Sequence, residues 1–140
     1  MHIMKKLILF FLVPILFLLA CNKDKSYHKK IQHKWQKQTI ELKEDNGNTN
    51  SYNVPDSNAI IWTFSDNTFD YYMASDDTSA TYSYAIKNEE LKTTLISMPD
   101  FTSTYHIKSI SDKQMVLETD MINENAEKIG VIIETFKKID

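Results

Sequence analysis

Cys21 is the sole cysteine of the 140-residue chain, so any sulfur chemistry the protein undergoes is confined to that position. A lone thiol cannot close a disulfide within a monomer. Other residues suited to chemistry are sparse. His28 and His33 stand among lysines near the start, and His106 is the one histidine well inside the domain. His106 alternates with Tyr105 and Ile107, which puts it on the opposite strand face, a solvated position rather than that of a general base. Asp66, Asp70, Asp76 and Asp77 gather around one hairpin. They offer oxygen ligands of the kind calcium takes, but without the spacing of a calcium loop, and solvated turn carboxylates account for them. No Gly-x-Ser-x-Gly elbow, His-Glu-x-x-His pair or glycine-rich phosphate loop occurs. The expectation is a non-enzyme with no catalytic residues, no metal and no cofactor.

The setting of Cys21 gives it one specific chemistry. Lys5 and Lys6 precede an apolar run from Leu7 to Leu19 broken only by Pro14, the positive and hydrophobic parts of an export signal. At about 1.5 Å per residue the run covers about 20 Å, short of a hydrocarbon core of about 30 Å. The segment Leu18-Leu19-Ala20-Cys21 resembles a bacterial lipobox, with Leu19 where alanine, serine or threonine is more usual. That resemblance implies alkylation of the Cys21 sulfur by a diacylglycerol, cleavage between Ala20 and Cys21, and acylation of the new amino group. Residues 1–20 are then a signal peptide. Two or three acyl chains, at about 0.8 kcal/mol per buried methylene, hold the mature protein stably to a membrane. The implied location is the bacterial cell envelope, lipid-anchored at the outer membrane on its periplasmic face or at the cell surface. The alternative is an uncleaved amphipathic or transmembrane anchor with an incidental cysteine.

Loss of Lys5 and Lys6 leaves 14 of the 16 basic residues against 19 acids, which moves the formal charge from -3 to -5. With no arginine and no concentrated basic face, nucleic acid is excluded as a partner. Residues 21–33 carry Lys23, Lys25, Lys29 and Lys30 and read as a lipidated polar tether, either solvated or resting on anionic headgroups. Residues 34–140 form one domain, whose stability must come from packing and strand pairing.

From Lys34 onward, short apolar and β-branched runs alternate with polar turns, which predicts an all-β meander of eight strands. The first runs over Lys34–Leu42 with Trp35 near its start and Ile40 and Leu42 on one face. A long, mobile loop is expected over Lys43–Asn58. The second strand, Ala59–Phe64, presents Ile60, Trp62 and Phe64, and the third presents Phe69, Tyr71 and Met73. The fourth, Ala80–Lys87, presents Ala80, Tyr82, Tyr84 and Ile86. Leu91 and Leu95, Tyr105 and Ile107, and Met115 and Leu117 mark the next three. The last, Ile129–Lys137, presents Val131 and Ile133, then shifts parity to Phe136, and Gly130 within it signals a bulge or a close backbone approach. Asp and Asn in the turns tolerate positive φ and replace the scarce glycines. Little helix is expected, beyond a turn or two in Ile122–Lys128. Such strands close into an up-and-down antiparallel barrel, which removes exposed edges.

Trp35, the run Trp62 to Phe69, Tyr84-Ala85-Ile86, Tyr105-His106-Ile107, the Ile110–Leu117 hairpin and the closing Thr135-Phe136-Lys137-Lys138 together resemble the lipocalin-like domain of small bacterial lipoproteins. The resemblance implies a membrane-anchored barrel with an apolar ligand in its mouth. Trp35, Trp62, Tyr71, Tyr82, Tyr84 and Tyr105 are the aromatics expected in the core or around such a ligand. Two functions stay open: a carrier of a small apolar molecule, or an interaction protein of the inhibitor or immunity type that caps a protein partner without a cavity.

Overall fold

The computed structural model describes residues 23–140. The expected signal peptide, the expected cleavage point at Ala20 and the expected lipidation site Cys21 lie outside the described residues. Helix α1 (residues 23–31) leads into nine strands. These are β1 (Lys34–Glu44), β2 (Thr49–Asn53), β3 (Ile60–Phe64), β4 (Thr68–Met73), β5 (Thr78–Lys87), β6 (Glu90–Leu95), β7 (Thr102–Ile110), β8 (Gln114–Ile122) and β9 (Lys128–Ile139). Every pairing is antiparallel. β1 pairs with β9 along most of its length and with β3 through Lys34–Gln36, which closes β1 and β3–β9 into the expected eight-stranded barrel. Closure leaves no free edge in those strands.

The ninth strand corrects the expectation of a long mobile loop. β2 pairs with the outer half of β1, Thr39 opposite Asn53 through Lys43 opposite Thr49. Its turn is specified locally: Gly47 takes φ +95°, and the Asn46 and Asn48 side chains both donate to the Glu44 carboxylate. β2 is exposed at all five positions, so it has no apolar alternation to betray it.

Two bulges settle the parity questions. The β1–β9 register shifts between Lys37 and Thr39, so Trp35 and Lys37 before the bulge face inward together with Ile40 and Leu42 after it. On β9 the inward set is Gly130, Ile132, Glu134 and Phe136, in unbroken alternation, because Phe136 opposes Lys37 and Glu134 opposes Ile40. Val131 and Ile133 therefore lie on the outer face, contrary to expectation. The irregularity falls instead beside Gly130, where Met121 opposes Gly130 and Ile122 opposes Lys128. The close approach is real: a Cβ on Gly130 would meet the Lys43 carbonyl oxygen at 2.2 Å.

Over residues 23–31, helix α1 stands where a polar tether is expected for residues 21–33. Tyr27 and Ile31, four apart and so on one helical face, pack on the barrel, with Ile31 fully buried. Lys25, Lys29 and Lys30 face water. The Asp24 carboxylate accepts from the backbone N–H groups of Asn88 (2.9 Å) and Glu89 (3.1 Å), a turn whose residues both have positive φ. Lys23 pairs with Glu89, and the buried Trp35 indole donates to the Ile31 carbonyl at 2.8 Å. The helix thus plugs the barrel end that carries the β3–β4, β5–β6 and β7–β8 turns. The Ile122–Lys128 segment forms no helical turn; Asn123 Oδ1 accepts from the backbone of Asn125 and Glu127 and organises a hairpin turn. Among the described residues no helix is long and apolar enough to cross a membrane.

Candidate ligand cup

Exposure of the inward-facing side chains changes along the barrel axis, although Ile86 at the α1 end is partly exposed and Thr93 and Leu95 on β6 are buried throughout. Near α1 most are sealed: Trp35, Phe64, Tyr84, Leu91, Ile107, Ile110, Met115, Leu117 and Phe136 are all buried. At the other end, inward-facing Ile40, Leu42, Ile60, Tyr71, Met73, Tyr82, Tyr105 and Ile132 all keep partial exposure. Partial exposure of so many inward side chains marks the less covered end of the barrel. Among the described residues no helix covers this end, and its inward face of aliphatic side chains and three tyrosines is the candidate cup.

A polar layer lies between the two halves. Lys37, 6% exposed, donates from Nζ to Glu134 Oε1 and sits over the rings of Phe136 (5.4 Å to the centroid) and Trp62 (5.7 Å). Cation–π attraction helps hold a desolvated ammonium there. Trp62, 3% exposed, stacks on Phe69 at 4.9 Å and meets Tyr105 edge-on at 5.7 Å. Its indole N–H is buried and has no acceptor among the described residues. An orphaned buried donor costs about 1–3 kcal/mol. The tyrosines report the same enclosure. Burial, reinforced by the nearby Glu134 carboxylate and Tyr82, pushes the Tyr105 hydroxyl up to about 12. Burial, with Tyr82 and Glu134 beside it, also raises Tyr71.

The six expected aromatics separate. Tyr71, Tyr82 and Tyr105 line the cup, and Trp62 lies in the polar layer at its floor. Trp35 and Tyr84 belong to the sealed half, where Trp35 holds the helix end and the Tyr84 hydroxyl donates to the Ser65 carbonyl at 2.8 Å. Lys37 and Glu134 went unread in the sequence, although Trp35-x-Lys37 and Glu134-x-Phe136 carry the signal: each charge stands two residues from a core aromatic. Tyr52 of β2, opposite Ile40 and so on the same sheet face, adds an exposed aromatic near the mouth.

His106 is exposed, as its parity requires, in an outer groove of about 270 Å³ shared with Glu90, Glu118 and Asp120. The hairpin aspartates are spent separately: Asp66 accepts from Gln32, Asp70 from Thr81, Asp76 from Ser75 and Asp77 from Tyr72. Among the described residues no group of three or more His, Cys, Asp or Glu side chains is placed to hold a metal ion.

A family model described as a lipocalin-like domain matches residues 31–117, more than half of the chain. No curated protein matches it. One similar solved structure, of EF1p2_mFAP2b bound to DFHBI, is 13% identical, covers 79% of this chain and 95% of that chain, and has a TM-score of 0.37. At that score the likeness carries no weight about function.

Proposed function

The chain belongs to the lipocalin-like domain family, and from that premise we propose that it is a lipid-anchored lipoprotein of the bacterial cell envelope whose barrel holds a small, largely apolar ligand. It is a binding protein rather than an enzyme. The observation that carries the ligand reading is the exposure gradient inside the barrel, with a sealed half beneath and a water-reachable, apolar and tyrosine-lined half above. Ligand sites are concave, mostly apolar and supplied with a few placed polar groups, as this cup is.

The anchor is Cys21, alkylated on its sulfur and then freed by cleavage between Ala20 and Cys21, at the outer membrane. Cys21 stands two residues before Lys23, the first described residue of α1, so an anchor there sets the plugged end of the barrel toward the bilayer and turns the mouth away from it. Exposed Lys25, Lys29 and Lys30 then face the headgroups, each contributing about 1 kcal/mol where these are anionic. Cys21→Ser should abolish lipid labelling and release the protein from the membrane fraction; unchanged retention would refute the lipobox reading.

A second reading, an envelope protein that caps a protein partner as inhibitors and immunity proteins do, is favoured by one feature. Ile96, Met98 and Phe101 in the β6–β7 loop, with Tyr52, Ile122 and Ile129, are large apolar side chains exposed around the open end. Native mass spectrometry of the protein from its own host separates the two. A co-purifying small molecule supports the carrier, and a stoichiometric protein partner without one sinks it.

A further inference from the structure

The polar layer beneath the cup is more than the cup reading requires. A container for a purely apolar molecule would be served by an apolar floor, and a buried ion pair is often no more stabilising than well-packed hydrophobic residues of the same volume. Here the floor holds Lys37 on Glu134, with the ammonium over the Trp62 ring, 5.7 Å from its centroid, and the N–H of that ring orphaned. The Lys37 ammonium has three N–H groups, and Glu134 Oε1 takes one of them. Donors are therefore in surplus at this level of the barrel. A carboxylate already neutralises the ammonium, so an incoming anion would meet Glu134 before it gained from Lys37.

We propose that this layer is a recognition site for the head of the ligand, and that the head is a neutral hydrogen-bond acceptor, a carbonyl or ether oxygen, taken by the Trp62 N–H beside Lys37. The inference rests on the cup reading and sharpens it: the ligand is amphipathic, inserted head first, with its apolar or aromatic body against Tyr71, Tyr82 and Tyr105. A hydrocarbon would fill the walls and leave the indole orphaned. A carboxylate would be repelled by Glu134, and a neutral oxygen satisfies the donor with no charge to desolvate.

Three probes of matched shape test this: 2-acetylnaphthalene, 2-isopropylnaphthalene and 2-naphthoate, titrated calorimetrically into the mature protein in lipid nanodiscs, with empty nanodiscs as the blank. The ketone should bind about tenfold more tightly than the hydrocarbon, the scale of one buried hydrogen bond, and naphthoate should bind more weakly than the ketone. Trp62→Phe removes the N–H, and it should bring the ketone down to within twofold of the hydrocarbon measured on the same variant. Equal binding of ketone and hydrocarbon by the unsubstituted protein, which needs no variant to fold, would overturn the head site and leave the cup standing. Tightest binding by naphthoate would overturn the neutral head. Failure of all three to bind would overturn the cup itself, and the head site with it.

Discussion

The two halves of one barrel, built from the same strands, have opposite fates. Toward α1, inward side chains interlock: Phe64 and Phe69 stack at 4.8 Å, Tyr84 meets Phe64 edge-on at 5.1 Å, and Ile31 closes the end with no exposure. Toward the β4–β5 and β8–β9 turns the same strands present Tyr71, Met73, Tyr82 and Ile132, and nothing comparable to α1 covers them among the described residues. Strand number alone permits either outcome, since an eight-stranded barrel can fill itself or hold one small ligand. What decides is whether an end is plugged. Stability is concentrated at one end so that the other can stay open.

Substitutions in the two halves should therefore differ in kind. The largest effect is expected from Trp35→Ala, which opens a cavity in the sealed half and removes the indole bond that holds Ile31; a loss of about 4 kcal/mol in denaturant melts is expected. Tyr82→Ala in the cup should cost less than half as much, since the site is already partly hydrated. Equal losses would erase the distinction between the halves.

Lys37→Met should cost about 3 kcal/mol, because it strands the Glu134 carboxylate inside the barrel, and adding Glu134→Leu should restore most of that loss. A double variant as unstable as the single one would mean that the ion pair holds the fold.

Alkali should also weaken the open half. Tyr105 titrates near 12 in the folded protein, against about 10 in an unfolded chain. Below pH 10 the hydroxyl is protonated in both states and ionisation contributes nothing. Between pH 10 and 12 only the unfolded chain gives up the proton, so stability falls with rising pH, by at most about 3 kcal/mol, and levels off above 12. Tyr105→Phe should flatten that part of the profile. The smallest effect is expected from Asp24→Ala, which frees the β5–β6 turn amides and should cost about 1 kcal/mol. If it costs nothing, α1 is held by its other contacts, chiefly the packing of Tyr27 and Ile31.

Sequence patterning exposed most of the barrel because β3, β4 and β5 alternate cleanly, with Trp62, Phe69, Tyr71, Tyr82 and Tyr84 all on the inner face. It failed where the pattern is carried by few residues or by charges. Two side chains, Tyr27 and Ile31, dock a helix whose other positions are lysine-rich and polar, so α1 looked like solvated chain. β2 is polar on both faces and is specified by the Asn46-Gly47-Asn48 turn and by its pairing to β1. The polar layer was hidden by the usual reading of charge as surface. Val131 and Ile133 reinforced that error, because their β-branched apolar side chains suggested an inward face and pushed Glu134 outward. Only the pairing of Lys37 with Phe136 and of Ile40 with Glu134 restores the correct parity.

The claim that one half of this barrel is a core and the other a ligand cup is tested most directly by methyl NMR during titration with 2-acetylnaphthalene. Methyl signals of Ile40, Leu42, Met73 and Ile132 should shift and saturate together, while those of Ile31, Ile107, Met115 and Leu117 stay in place. Shifts confined to Ile96, Met98 and Ile122 on the outer rim, or no saturable shift at all, would contradict it.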